Sequence, residues 1–152
     1  MPDSFVMCPT IDEPIFEECI RQAKEDPLTE RLVIVDDQAF SVAQRKSKAL
    51  REMVFNGRHY GLNVIIVSQS AIGIGGPAAR GNVDYVFLTR ENIIFSMEIV
   101  YKYFFGVFPT FKDFKKVCEE MKRLPYRCLF CDMSSFGGIR DMVKYYTARC
   151  DE

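Results

Sequence analysis

Leu32-Val33-Ile34-Val35-Asp36-Asp37 is the stretch on which the fold turns. Four consecutive apolar residues, most of them β-branched, run without alternation and stop at two carboxylates. A strand that is apolar on both sides suits the buried centre of a parallel sheet. A second run of this kind, Asn63-Val64-Ile65-Ile66-Val67, ends in Ser68-Gln69-Ser70, and a third spans Val83 to Leu88 and leads into Thr89-Arg90-Glu91-Asn92. Helical periodicity separates them. Pro14 suits the first turn of a helix with Ile15, Phe16, Cys19, Ile20 and Ala23 on one face, stopping near Asp26-Pro27. Ser47 to Phe55 reads as another, with Leu50, Met53 and Val54 inward and Asn56-Gly57 as its stop signal.

Outward from this centre the pattern continues. Phe5-Val6-Met7-Cys8 forms a weak first strand ended by Pro9. Ile93 to Phe105 is a strongly apolar helix closed by Gly106. Pro109-Thr110 opens a further helix, in which Thr110 caps with Asp113 three residues on and Phe111, Phe114, Val117, Cys118 and Met121 form the apolar face. Tyr126 to Met133 and Met142 to Thr147 read as two strands joined through Gly137-Gly138. Strands alternating with helices predict an α/β protein, a mostly parallel sheet with flanking helices and a C-terminal β-hairpin. With no internal repeat, low-complexity stretch or linker, residues 1–152 read as one domain.

The bulk numbers bound the function. The chain has 152 residues, enough for a hydrophobic core, with 48% apolar and 27% charged residues and a net charge of −1. That balance excludes a strongly basic nucleic-acid coat, so any DNA contact has to come from a local patch or an assembled ring. No apolar run approaches the ~20 residues that span a bilayer. The N-terminal residues show no basic region followed by an apolar stretch, so no signal peptide is read. Six cysteines are compatible with a reducing compartment. Cys128-Leu129-Phe130-Cys131 has C-x-x-C spacing, but no second pair follows, and a strand sends positions three apart to opposite faces. Buried free thiols are the favoured reading over a zinc site.

Two of the buried strands end in polar residues that a plain core does not require. In P-loop NTPases an apolar strand delivers an aspartate beneath the nucleotide, where it helps hold hydrated Mg²⁺. A neighbouring acid can orient and deprotonate the attacking water. Asp36 and Asp37 fit those roles in that order, although two aspartates can also merely cap a strand end. Gln69, at the tip of the next strand, suits contact with the γ-phosphate or the lytic water, with Ser68 and Ser70 as weaker candidates and a simple turn as the alternative. Arg80, in a glycine-flanked loop, suits an arginine that reaches a neighbouring subunit's γ-phosphate. Arg90 is a second candidate, with a local ion pair to Glu91 as the plainer reading. Gly73-Ile74-Gly75-Gly76 does not make a phosphate loop: the pattern requires G-x-x-x-x-G-K-[ST], and no such lysine and hydroxyl pair follows. Those glycines read as a mobile loop, and the aromatic stretch Tyr101 to Phe111 as core at helical spacing.

Several blocks in order resemble a known family. Asn56-Gly57-Arg58-His59-Tyr60-Gly61, Val64-Ile65-Ile66-Val67-Ser68-Gln69, Ala79-Arg80-Gly81-Asn82-Val83-Asp84-Tyr85-Val86-Phe87-Leu88, Arg90-Glu91-Asn92 and Tyr101-Lys102-Tyr103-Phe104-Phe105-Gly106-Val107-Phe108-Pro109 are similar to the poxvirus-type genome-packaging ATPases of large nucleocytoplasmic DNA viruses, in the FtsK–HerA superfamily. The blocks cover about residues 30 to 133. The resemblance implies an ASCE-type, RecA/FtsK-like P-loop fold. It implies ATP and Mg²⁺ as cofactors, and translocation of double-stranded DNA into a capsid by a homo-oligomeric ring. Capsid or membrane components of the virion are implied partners, and the host cytoplasm (the viral factory) or the virion the implied location. By that likeness Asp36 is the Walker B aspartate, Asp37 the catalytic acid, Gln69 the sensor glutamine and Arg80 the first choice for the trans-acting arginine.

One departure accompanies the match. The family's Walker A loop is expected upstream of Phe5, on a strand that sits between the sensor strand and the one after it. Without it, Val64–Val67 and Val83–Leu88 are expected to lack their shared partner and to leave backbone groups unpaired. A split reading frame, a partial chain or a degenerate paralogue would each account for this. Outside the motor reading stand a non-catalytic interaction subunit that joins a ring through its arginine face, and a cellular FtsK/HerA-type DNA translocase.

Overall fold

The computed structural model of the protein describes residues 13–36, 47–71 and 80–149. The chain forms two compact units, residues 1–79 and 80–152, each with its own sheet. The expected strand at Phe5–Cys8 lies outside the described residues, as do Asp37 and the glycine stretch Gly73–Gly76.

The first unit contains helix α1 (Glu13–Glu25), strand β1 (Arg31–Val35), helix α2 (Lys48–Asn56), a 3₁₀ turn (Gly57–Tyr60) and strand β2 (Leu62–Ile66). β1 and β2 pair in parallel from Arg31↔Leu62 to Val35↔Ile66. The expected apolar faces pack, with Phe16, Ile20 and Ala23 of α1 and Leu50 and Met53 of α2 in a buried cluster with Val35 and Leu62; Ala49, not among the expected residues, joins the cluster, and Val54 packs against it partly buried. Ser47 begins α2, its hydroxyl accepting the Leu50 N–H at 2.9 Å. Glu13 reaches the same end and accepts the Ala49 N–H at 3.0 Å. α2 stops at Asn56 as expected, but the left-handed residue comes later, at Gly61 with φ 65°. A β-carbon there would meet the carbonyl oxygens of Pro27 and Thr29 at 3.2 and 3.3 Å, while the Gly61 carbonyl accepts the N–H that starts β1, from Arg31 at 2.8 Å. Gly61 therefore joins the entry to β2 to the entry to β1.

The apolar run of β1 predicts burial on both faces, and among the described residues of this unit only one face is covered. Val33 and Val35 face the helical cluster, whereas Leu32 and Ile34 are 55% and 57% exposed, and Ile65 and Val67 are exposed beside them. Both described helices of this unit pack on the same side of its two strands.

The second unit contains β3 (Tyr85–Leu88), α3 (Ile94–Phe104), α4 (Phe111–Met121), β4 (Arg127–Asp132), α5 (Ile139–Met142) and β5 (Val143–Thr147). Its sheet has the order β3-β4-β5 and is antiparallel throughout. The expectation of a mostly parallel sheet is corrected here: among the described residues only β1 and β2 pair in parallel, and Val83–Leu88 contributes a shorter strand that runs against β4. Cross-strand fit accounts for that pairing. Phe87 stands opposite Phe130 with ring centroids 4.9 Å apart, and Leu88 opposite the buried Leu129. The expected C-terminal hairpin is present as β4–β5, with α5 added in its connection.

Met97, Val100 and Phe104 of α3 and Phe114, Cys118 and Met121 of α4 are buried, as helical spacing requires. Phe105 and Phe108 join them, with Phe105 5.1 Å and Phe108 5.6 Å from Phe114 between ring centroids. Thr110 caps α4 by accepting the Asp113 N–H at 3.2 Å. Cys131 is fully buried and Cys128, on the opposite face of β4, is partly exposed. Burial raises the pKa of both thiols.

Candidate functional site

The carboxyl ends of β1 and β2 bring two of the candidate residues, Asp36 and Gln69, to one end of a sheet. The two strands are parallel, so their chains leave the sheet at the same end. The ladder runs one step beyond the strands, the Val67 N–H donating to the Val35 carbonyl at 2.8 Å. Asp36 follows immediately, exposed above the buried Val35. Neighbouring strands lie about 4.8 Å apart, so Asp36 and the turn that carries Gln69 emerge side by side. Open α/β sheets bind ligands at such strand ends.

The turn after β2 has a local cause. Ser68 donates its hydroxyl to the Ser70 carbonyl at 3.0 Å and accepts the Ser70 N–H at 3.2 Å. Both serines are thereby engaged with each other, and Gln69 stands exposed at the tip. Asp37, the candidate water-activating acid, lies outside the described residues.

Arg80 and Arg90 belong to the second unit, one before β3 and one after it. The Arg80 guanidinium lies over the ring of Tyr103, 3.7 Å from its centroid. Arg90 donates to the Lys122 carbonyl at 3.4 Å. The local ion pair expected between Arg90 and Glu91 is replaced by a different arrangement: the Glu91 carboxylate accepts the backbone N–H groups of Asn92 and Ile93, both at 2.7 Å, and so holds the entry to α3. The contacts described for them differ, the Tyr103 ring for Arg80 and the Lys122 carbonyl for Arg90.

The donor set fits a hydrated magnesium ion rather than a metal cage. Among the described residues no group of three or more His, Cys, Asp or Glu side chains converges. A single exposed carboxylate at a strand end suits Mg²⁺, which keeps several waters and takes one or two carboxylates together with substrate phosphates. The 152 residues hold no G-x-x-x-x-G-K-[ST] sequence to cradle those phosphates. Two shallow, open surface depressions among the described residues lie along α1 and α2, one lined by Lys48, Arg51, Glu52, Phe55 and Asn56, and neither includes Asp36 or Gln69.

Sequence reading missed Tyr103, which it placed with the aromatic core. The signal was available: Met97, Val100 and Phe104 mark the inward face of α3, and Tyr103 falls off that stripe. It also missed an aromatic face on the second sheet. Phe130 lies 5.8 Å from Tyr85 and 4.9 Å from Phe87, and Phe87 lies 6.3 Å from Tyr146.

No family model matches the chain. Three curated viral proteins, all uncharacterized, are similar in sequence. One from Invertebrate iridescent virus 3 is 28% identical over 87% of this chain and 49% of its own length. One from Acanthamoeba polyphaga mimivirus is 28% identical over 77% of this chain and 42% of its own length. One from Frog virus 3 is 33% identical over 77% of this chain and 36% of its own length. The chain thus spans about half the length, or less, of the curated relatives it matches.

Among solved structures, the genome-packaging NTPase of Sulfolobus turreted icosahedral virus 2 in complex with AMPPCP matches with a TM-score of 0.67 at 18% identity, over 92% of this chain and 63% of that one. The DNA-packaging ATPase of Sulfolobus turreted icosahedral virus matches with a TM-score of 0.68 at 19% identity, over 95% and 66%. The chain shares the α/β fold of these viral packaging NTPases. No helix among the described residues is long and apolar enough to cross a membrane.

Proposed function

We propose that the chain is the Walker B and sensor portion of an ATPase that packages double-stranded DNA in a large DNA virus. The observation that carries this reading is the parallel β1–β2 pair, which brings Asp36 and Gln69 to one strand end in a fold shared with viral packaging NTPases. In this function Asp36 holds Mg²⁺ through water, and Asp37 accepts a proton from the attacking water. Gln69 senses the γ-phosphate. Arg80, with Arg90 as second choice, reaches the nucleotide of the next subunit in a homo-oligomeric FtsK–HerA-type ring. Magnesium, when bound, supplies positive charge to the β- and γ-phosphate oxygens. The ring acts on double-stranded DNA with capsid or membrane components of the virion as partners, in the viral factory of the host cytoplasm or in the particle.

Without a phosphate loop, these 152 residues by themselves do not turn over ATP. Phosphate release from the purified chain tests this directly. The expected result is no turnover with or without double-stranded DNA, and turnover that Asp37→Asn abolishes would overturn it.

One alternative is a non-catalytic subunit that stimulates a P-loop-bearing partner through Arg80, whose guanidinium lies over the Tyr103 ring. Stimulation that disappears in Arg80→Ala and survives Asp36→Ala and Asp37→Asn would select that alternative.

A further inference from the structure

We infer that the uncovered face of the β1–β2 sheet is the seat of the helix that follows the phosphate loop, a helix from outside these 152 residues. This rests on the reading of Asp36 as the magnesium-holding carboxylate, and extends it to the partner that completes the site. Side chains alternate along a strand, so Leu32, Ile34 and Asp36 share one side of β1, and Val33 and Val35 take the other. The parallel register sets Ile34 level with Ile65, and one step on, where the Val67 N–H donates to the Val35 carbonyl, Val67 comes level with Asp36. Val33, Val35, Val64 and Ile66 meet the cluster formed by α1 and α2. Leu32, Ile34, Ile65 and Val67 are each about half exposed on the opposite side. The apolar face therefore leads to the carboxylate, on the side that the described helices of this unit leave open.

The chemistry and size of the face identify what sits on it. It carries Leu32, Ile34, Asn63, Ile65 and Val67, with no lysine or arginine, and ends in an acid. Nucleic acid needs cations for its phosphates, so it is not the occupant. A second copy of the chain is not either, because stable protein interfaces use about 20–30 residues a side. One helix fits: about 10 Å across, it spans two strands about 4.8 Å apart, and strands of five residues give it ~17 Å, or about eleven helical residues, to lie on. Laid antiparallel to β1 and β2, such a helix presents its N-terminal N–H groups at their carboxyl ends, where they attract phosphate beside Asp36. The matched proteins are long enough to hold this element, since the chain spans 49% of the Invertebrate iridescent virus 3 relative and 63% of the Sulfolobus turreted icosahedral virus 2 NTPase.

The probe is the part of the Invertebrate iridescent virus 3 relative that this chain does not match, made as a separate polypeptide and labelled with a fluorophore. Its affinity for the 152-residue chain is read by anisotropy, for wild type, Ile34→Asp, Ile65→Lys and, on the helical side, Glu17→Lys. The thermal midpoint checks that each variant is folded; Ile34, Ile65 and Glu17 are all exposed, so none of the substitutions enters the core. Wild type is expected to bind, Ile34→Asp and Ile65→Lys each to bind about tenfold or more weakly, and Glu17→Lys to bind as wild type does. The wild-type complex is expected to take up Mg-ATP, and the complex of Asp36→Ala to hold it about tenfold less tightly. No binding by wild type, or binding that both isoleucine variants leave unchanged, overturns the seat. Binding on this face by a complex that takes up no Mg-ATP overturns the identity of the helix. Binding on this face with Mg-ATP affinity that Asp36→Ala leaves unchanged overturns the reading of Asp36, while the seat stands.

Discussion

At the carboxyl end of β1, burial changes from one residue to the next: Val35 is in the core and Asp36 is in water. This abrupt exit was legible in the sequence, because four apolar residues ending in two acids leave a carboxylate little choice but the strand end. The register that sets Asp36 beside the Gln69 turn was only implied, since it depends on β1 and β2 pairing with each other. Gly61 could not be identified as the left-handed residue from the sequence, where Asn56-Gly57 carried the stronger stop signal. Its φ of 65°, and the carbonyl oxygens that a β-carbon there would meet at 3.2 and 3.3 Å, make a definite prediction. Gly61→Ala should destabilise the protein by about 1–2 kcal/mol through the left-handed backbone alone, and by more from the close oxygens. Urea unfolding measures it, and an unchanged midpoint would show that the turn relaxes.

Elements were read more securely than their partners. The apolar faces of α1, α2, α3 and α4 pack as helical spacing requires, because each face is decided by its own residues. Pairing of β3 was misread, since whether a four-residue strand runs with or against its neighbour depends on residues 127–132, some forty positions away. Two predictions belong at this scale. Ser47 caps α2 from a buried position, so Ser47→Ala should cost about 1 kcal/mol or somewhat more, read as a lower urea midpoint. The second concerns acid. Glu13 is held below its usual pKa first by the Ser47 hydroxyl and then by the Ala49 N–H. Glu52 is lowered first by the Asn56 amide, then by Lys24 and Tyr60. Both carboxylates have lowered folded pKa values, so the stability they contribute is complete above the unfolded value of 4.5 and is lost as pH falls through the lowered ones. The unfolding midpoint should therefore decline below about pH 4.5, and less steeply in Glu52→Gln. An identical decline in that variant would remove Glu52 from the account.

For the molecule as a whole, the α/β class and the alternation of strands and helices were readable, and the distribution of strands between two sheets was not. Leu32 and Ile34 explain why. Their apolar character predicts a covered face, yet coverage depends on what packs there, and in the first unit both described helices take the other side. The catalytic reading has the same character: the strand-end residues are present, while the phosphate cradle they would serve is not among these 152 residues. The most direct test joins the two. ATP turnover is measured for the chain co-expressed with a segment carrying G-x-x-x-x-G-K-[ST], with and without double-stranded DNA, for wild type and Asp37→Asn. DNA-stimulated turnover that falls by about 10²–10⁴ in Asp37→Asn is the predicted result; turnover that Asp37→Asn leaves unchanged would contradict the assignment.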